Sequence, residues 1–174
     1  MDNTRKLALA GIMTAFTVMI LFGAMIVPNL KLFLYGLSSL PMAVVVMECD
    51  KKTGLLFYVA SALLCFILLP DKVAALPYIV VLGLYGLIKA VAEGSPNTLT
   101  EWLIKIIYFN ASLSLYLWLI IKIFIPNISF PIPLWIIIIG AEAIFVAYDF
   151  IYSYCVSFYE KSLRPKVNSF YRRR

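Results

Sequence analysis

The sequence contains no histidine, few charged residues and only three cysteines, and each shortage removes a class of function. Without histidine the chain has no histidine metal ligand, no histidine general base and no Ser-His catalytic pair. The cysteines, Cys49, Cys65 and Cys155, are an odd number at unrelated spacings, in or beside apolar segments. Buried small side chains explain them better than a disulfide or metal framework. The chain also lacks a Gly-rich phosphate loop, so it cannot power transport itself.

Charged residues make up 14% of the 174 residues, whereas 63% are hydrophobic. A soluble domain of this size needs a polar shell that this composition does not supply. The apolar residues come in long runs without the alternation that is typical of barrel strands. Because backbone groups in lipid must be paired within the protein, these runs predict membrane-spanning helices. We therefore predict an all-α integral membrane protein.

Six runs are long enough to cross a bilayer. The first contains 21 uncharged residues, which is too long for the core of a signal peptide, so we expect it to remain as a helix. All connections between the runs are short, which predicts a single transmembrane domain over residues 1–174 with a basic tail at 160–174. The predicted helices are approximately 7–27, 32–48, 54–70, 73–92, 101–122 and 133–159.

The distribution of lysine and arginine predicts the orientation of the chain. If the amino terminus is cytoplasmic, eleven of these residues fall on the cytoplasmic side, three fall outside, and Lys105 lies within a helix. With six helices, both termini are then cytoplasmic. The net charge of +6 is explained by this topology and by contact with anionic lipid headgroups, and not by nucleic-acid binding.

Charges at membrane depth are costly and usually face the interior of a helix bundle. Glu142 and Asp149 lie seven residues apart on nearly the same face of the sixth helix. Lys105 and Asn110 lie on the fifth helix, and Lys89 ends the fourth. In one interpretation, helices four to six line a polar interior in which Asn110 and Glu142 bind a ligand. In the other interpretation, which we favour for Lys105 and Asp149, Asp149 forms an internal ion pair with Lys89 or Lys105.

Catalysis within the membrane is disfavoured by the spacing of the polar residues. Glu142 and Asp149 are separated by about 10 Å of helix rise, whereas two carboxylates that share a proton need oxygens about 3 Å apart. The spacing of Ser112 and Ser114 from Lys105 gives no persuasive Ser-Lys pair. We therefore predict that the chain is not an enzyme and uses no cofactor.

The predicted outer ends of the helices carry polar groups near aromatic rings. Asn29 and Lys31 lie in the first connection and Asp71 in the third, with Tyr35 and Tyr78 nearby in the sequence. A small amphipathic ligand fits among such groups. Ordinary anchoring at the membrane interface explains tyrosine and lysine at these positions equally well.

The first helix carries small residues near its predicted cytoplasmic end, including Gly11 and Ala15 in a small-xxx-small pattern. Such residues let two helices approach closely in lipid. They form either an internal contact face or a docking face for a partner.

Three short segments add a family resemblance to this layout: TRKLALAGIMTA at 4–15, LPMA at 40–43 and KTG at 52–54. Together with six helices and a cytoplasmic amino terminus, they resemble the substrate-binding S component of energy-coupling factor transporters, the vitamin and micronutrient importers of prokaryotes. The resemblance implies that Gly11 and Ala15 occupy the place of the Ala-x-x-x-Ala motif that binds the transmembrane T component. By position, it implies substrate contacts at Asn29, Lys31, Asp71, Tyr78 and Glu142.

The resulting expectation is an S-component-like six-helix bundle in a prokaryotic cell membrane. It captures a small molecule, contacts membrane lipid, and docks on a T component driven by two ATPases. The alternative is a non-catalytic membrane scaffold of the rod-shape-determining type. An intramembrane enzyme is the least favoured class.

Overall fold

The computed structural model describes residues 3–124 and 133–164, which are helical and contain no strand. Within them, six helical spans are long and apolar enough to cross a membrane, as the apolar runs predict. The connection before the sixth span, which contains Pro126 and Pro131, lies outside the described residues, as do the tail residues 165–174. The spans are Asn3–Ile26, Pro28–Glu48, Lys51–Leu68, Lys72–Ala92, Thr98–Phe124 and Trp135–Ser162.

Not every span is one continuous helix. The first and third spans are uninterrupted: α1 (Asn3–Ile26) and α4 (Lys51–Leu68). The second span consists of a 3-10 turn (Pro28–Leu30), α2 (Lys31–Ser38) and α3 (Leu40–Glu48). The fourth consists of α5 (Lys72–Leu76), a π-helical segment (Pro77–Leu82) and α6 (Tyr85–Ala92). The fifth and sixth are α7 (Thr98–Leu119) and α8 (Leu134–Phe158), each followed by a short π-helical segment, Ile120–Phe124 and Tyr159–Leu163.

The break in the second span differs from the continuous helix predicted over 32–48. It falls at Ser39, just before Pro41, which lacks the N–H that a helix interior needs. The hydroxyls of Ser38 and Ser39 donate to the carbonyls of Tyr35 and Gly36, at 2.7 and 2.6 Å. Local serine hydroxyls therefore satisfy backbone acceptors where the helical bonding pattern changes.

The chain divides into two compact units, Met1–Ile128 and Ser129–Arg174. The second unit contains α8, in which the Ser153 hydroxyl donates to the Asp149 carbonyl at 2.8 Å. The rings of Tyr148 and Tyr152 meet edge to face one turn apart, with centroids separated by 5.7 Å. The single domain expected from the short connections stays a prediction.

Among the described residues of the first unit, two apolar clusters pack the helices together. Because lipid tails are as apolar as these side chains, close contact and hydrogen bonds stabilise the clusters, and not the exclusion of water. The cluster at the Ile26 end of α1 joins the first four spans: Val18, Leu21, Ala24, Tyr35, Cys65, Leu69 and Tyr78. The cluster at the other end joins the first three: Ala10, Met42, Val45 and Phe57.

At the end of the first unit where α1 begins, an ion pair connects α1 to the α3–α4 connection. Lys6 Nζ lies 2.7 Å from Asp50 Oδ2, in the connection between α3 and α4. Asp50 Oδ1 also accepts a hydrogen bond from the Thr53 backbone N–H and so caps α4. The bonds from Lys6 and Thr53 hold the pKa of Asp50 well below its ordinary value. Because successive spans are joined by short connections, the α6–α7 connection lies at this same end, called the basic end below.

Candidate functional site

The fourth span has an irregular backbone. Pro77 has no N–H, so the α-helical bonding pattern cannot continue through it. The chain widens instead into the π-helical segment Pro77–Leu82, and the Gly83 N–H donates to the Tyr78 carbonyl at 2.7 Å. Such segments within α-helices are frequent at functional sites. The sequence prediction of a continuous helix over 73–92 missed this feature, for which Pro77 was the available signal.

Tyrosine hydroxyls from three other spans donate to carbonyls of the fourth span. They bind spans two, three and five to one short stretch of backbone. Each hydroxyl gives a carbonyl in or beside the π-helical segment a donor from outside its own helix, which lipid cannot supply. The set, here called the tyrosine clamp, is Tyr35 to Ala74 at 2.7 Å, Tyr58 to Ile79 at 2.6 Å, and Tyr108 to Val81 at 2.8 Å.

Tyr78 lies inside this arrangement. Its ring is fully buried, and its hydroxyl is 2.7 Å from Ser61 Oγ, which is also buried. The substrate contact expected at Tyr78 stays a prediction. In this structure the hydroxyl is bonded to Ser61, so a substrate would have to exchange that bond or touch other atoms of the residue.

The predicted outer residues Asn29, Lys31 and Asp71 are exposed. Asn29 lies in the 3-10 turn, and Lys31 begins α2 with its ammonium 6.0 Å from the centroid of the Tyr35 ring. Asp71 caps α5 by accepting a hydrogen bond from a backbone N–H of that helix at 2.9 Å. Because Tyr35 donates to a carbonyl of α5, the structure brings Lys31 and Asp71 to one end of the first unit, called the Lys31 end below.

Two buried lysines at the basic end share carboxylate partners. Lys89 and Lys105 are each 2% exposed. Glu93 Oε1 lies 3.0 Å from Lys89 Nζ and 3.9 Å from Lys105 Nζ, while Glu101 Oε1 lies 2.6 Å from Lys105 Nζ. The ammonium of Lys105 is also 5.3 Å from the centroid of the Trp102 ring. These five residues are called the lysine cluster.

The sequence prediction paired Lys89 or Lys105 with Asp149 and missed Glu93 and Glu101 as partners. Both carboxylates stand four residues from a lysine, and this spacing was the signal for the ion pairs. Asp149 lies on α8 in the second unit, and its predicted pairing with a lysine stays a prediction.

Two further predicted ligand residues lie on different helices. Glu142 is on α8, and its contact with substrate stays a prediction. Asn110 lies on α7, where its side-chain amide donates to the Ile106 carbonyl of the same helix at 3.0 Å. This bond uses one of the two amide hydrogens of Asn110.

The small residues of α1 divide into two faces. Ala10 and Thr14 are buried, and the Thr14 hydroxyl donates to the Ala10 carbonyl at 2.8 Å. Ala8, Gly11 and Ala15 are exposed, and a Cβ added to Gly11 would meet no atom of the described residues within 4 Å. Gly11 is therefore not needed for close approach inside this chain. The exposed set is called the outer face of α1.

The described side chains were also compared with the ligand sets that metal ions need. Among the described residues, no group of three or more His, Cys, Asp or Glu side chains could hold a metal ion. The polar side chains brought together are hydroxyls, lysines and paired carboxylates, which suit hydrogen bonding and recognition of charge.

Comparison with known proteins gives no match to a protein-family model, to a curated protein or to a solved structure. The function is therefore inferred from the residues and their geometry.

Proposed function

We propose that this chain is the substrate-capture subunit of an energy-coupling factor type importer for a vitamin or another small micronutrient. In this proposal it spans a prokaryotic cell membrane with both termini in the cytoplasm, and the Lys31 end faces outward. A T component, driven by two ATPases, docks on α1. The six apolar spans and the lysine and arginine distribution support this arrangement.

The outer face of α1 is the observation that carries the proposal. Glycine within a helix costs about 1 kcal/mol relative to alanine, and contact with lipid alone gives no reason for it. Gly11 serves no close contact with the part of the chain that the structure describes, because the space beside it is open. Together with Ala8 and Ala15 it forms a smooth surface on which a helix of another membrane protein can approach closely.

The Lys31 end supplies the groups for substrate capture. Asn29, Lys31 and Asp71 are exposed there and offer an amide, a cation and a carboxylate. This combination suits a small molecule that carries both charged and hydrogen-bonding groups. Tyr78, Asn110 and Glu142 are each proposed as further substrate contacts.

Affinity purification from the native host tests the docking claim. We expect the tagged full chain, in mild detergent, to recover a T component and two ATPases. Gly11→Leu and Ala15→Leu should abolish this recovery, since a leucine would hold the partner helix away. Ala60→Leu is the matched control, because Ala60 is an exposed small residue on a different helix, α4. Recovery of cell-wall enzymes instead of ATPases would favour the scaffold and contradict the importer.

A ligand screen tests the capture claim. Mass spectrometry of the purified chain should identify a bound small molecule, and the same molecule should raise the thermal stability of the empty protein. Glu142→Gln should abolish this increase without changing the melting temperature of the empty protein. If the substitution lowers that temperature and leaves ligand binding intact, Glu142 supports helix packing and does not bind substrate.

A further inference from the structure

The lysine cluster has the geometry of an anion site that is occupied from within. Burying an ammonium is costly unless it is paired, and lysines at membrane depth usually mark functional sites. Here two ammoniums converge on a single oxygen, Glu93 Oε1, from α6 and α7. A phosphate, whose several oxygens carry negative charge, can take the place of the Glu93 carboxylate beside both lysines, while Lys105 keeps its ion pair with Glu101.

The two carboxylates of the cluster are held unequally. Glu101 lies in the first turn of α7, where the helix dipole favours an anion, and it is 2.6 Å from Lys105. Glu93 follows the last residue of α6, where the helix dipole disfavours an anion. Its side chain is also 44% exposed, compared with 25% for Glu101. An incoming anion therefore displaces Glu93 into water more easily than it displaces Glu101.

The surface beside the cluster is apolar. Successive residues of an α-helix are rotated by about 100° around its axis. On α7 this places Trp102 between the buried Lys105 on one side and the exposed Ile106 and Leu99 on the other. Ile106 is 40% exposed and Leu99 is 81% exposed. Tryptophan is enriched at the membrane interface, and basic sites between spanning helices bind anionic lipid headgroups. An acyl chain along Ile106 would place a headgroup phosphate next to the cluster.

We propose that Lys89 and Lys105 form a binding site for a phosphate group at the basic end, with the Glu93 carboxylate as its internal competitor. The phosphate belongs either to an anionic phospholipid headgroup or to a free phosphate ion. The site uses none of the residues assigned to substrate capture or docking, so it stands independently of the importer proposal.

Lipid retention measured by native mass spectrometry tests the site. The full chain in neutral detergent is supplied with phosphatidylglycerol or, as the zwitterionic control, phosphatidylcholine. We expect preferential retention of phosphatidylglycerol. Glu93→Gln keeps both lysines and removes the competing charge, so it should raise retention about two- to fivefold. Lys105→Met should lower retention, whereas Lys52→Met, at an exposed lysine of the same end, should leave it unchanged.

Inorganic phosphate distinguishes the two sources. If it competes with phosphatidylglycerol in the unmodified chain, and more strongly in Glu93→Gln, the site accepts a free phosphate ion. If retention is insensitive to it, the headgroup of the lipid is the ligand. The proposal is overturned if Glu93→Gln raises neither lipid retention nor phosphate binding, or if Lys105→Met and Lys52→Met behave alike.

Discussion

The close approach at Gly83 makes the stability of the fourth span sensitive to a single methyl group. A Cβ there would lie 2.8 Å from the Tyr78 carbonyl oxygen and 3.1 Å from Cε2 of Tyr58. The oxygen belongs to the backbone and already accepts the Gly83 N–H at 2.7 Å, so rotating a side chain cannot relieve the contact. Overfilling a packed site costs about 1–3 kcal/mol, and weakening the hydrogen bond adds about 1 kcal/mol. Alanine recovers about 1 kcal/mol through its higher helix propensity. We therefore expect Gly83→Ala to lower the free energy of unfolding by about 1–3 kcal/mol.

Gly11→Ala makes the same chemical change at a position where no atom of residues 3–124 or 133–164 lies within 4 Å of the added Cβ. Only helix propensity acts there, so this variant should be as stable as the unmodified chain or more stable by up to about 1 kcal/mol. Both variants can be unfolded in mixed micelles by titration with sodium dodecyl sulfate and followed by circular dichroism. Equal stability of Gly83→Ala and Gly11→Ala would refute the close approach and the role given to Gly83 at the end of the π-helical segment.

The remaining predictions concern single polar side chains. Tyr58→Phe should lower the free energy of unfolding by about 1 kcal/mol, because a carbonyl of the π-helical segment loses its hydroxyl donor; Tyr154→Phe, at a tyrosine that is 74% exposed, should change it little, and equal effects in the same titration would argue against the clamp. Lys72→Met should cost about 1–2 kcal/mol, because its ammonium donates to three carbonyls at the end of α4 at 2.5–3.2 Å; an unchanged unfolding midpoint would contradict this. The pKa of Asp50 is lowered in the fold, so its stabilising contribution is present above the ordinary value of 3.8 and is lost as pH falls from there through the folded pKa. Thermal melts during acidification should therefore show a smaller loss of stability for Asp50→Asn than for the unmodified chain, and parallel losses would show that this carboxylate does not contribute.

The six spans could be predicted because lipid imposes a simple requirement on sequence. A helix that crosses a bilayer needs about 20 predominantly apolar residues, and each of the six described spans has 18 to 28 residues of mainly apolar composition. The helix interruptions could not be predicted in the same way. Proline is tolerated inside membrane helices when neighbouring groups satisfy the freed backbone. Pro77 therefore leaves the outcome open, and the hydroxyls of Tyr58 and Tyr108, which come from other spans, decide it.

The roles of the glycines also could not be predicted from the sequence. Gly11 and Gly54 look alike in sequence, since each lies in an apolar helix. In the structure a Cβ at Gly54 would fall 2.7 Å from Val46 Cγ2, whereas a Cβ at Gly11 meets nothing. Only the three-dimensional arrangement separates a glycine that admits a neighbouring helix from one that faces outward.

The candidate site was predictable where its residues are close in the chain. Lys89 with Glu93 and Glu101 with Lys105 are pairs separated by one helical turn, so the sequence indicates each pair. That Glu93 also reaches Lys105 depends on the turn between α6 and α7. Tyr78 was expected to contact substrate from its position near the third connection, as the family resemblance implies. Its buried hydrogen bond to Ser61 comes from packing between α4 and the fourth span.

The central claim is that the outer face of α1 docks a partner that energises transport. Quantitative affinity purification from native membranes, comparing the unmodified chain with Gly11→Leu, Ala15→Leu and Ala60→Leu at matched expression, tests it most directly. We predict that the unmodified chain and Ala60→Leu recover a T component and its ATPases, and that the two α1 variants lose them while remaining folded. Equal recovery by all four proteins, or purification of the unmodified chain without any ATPase, would contradict the claim.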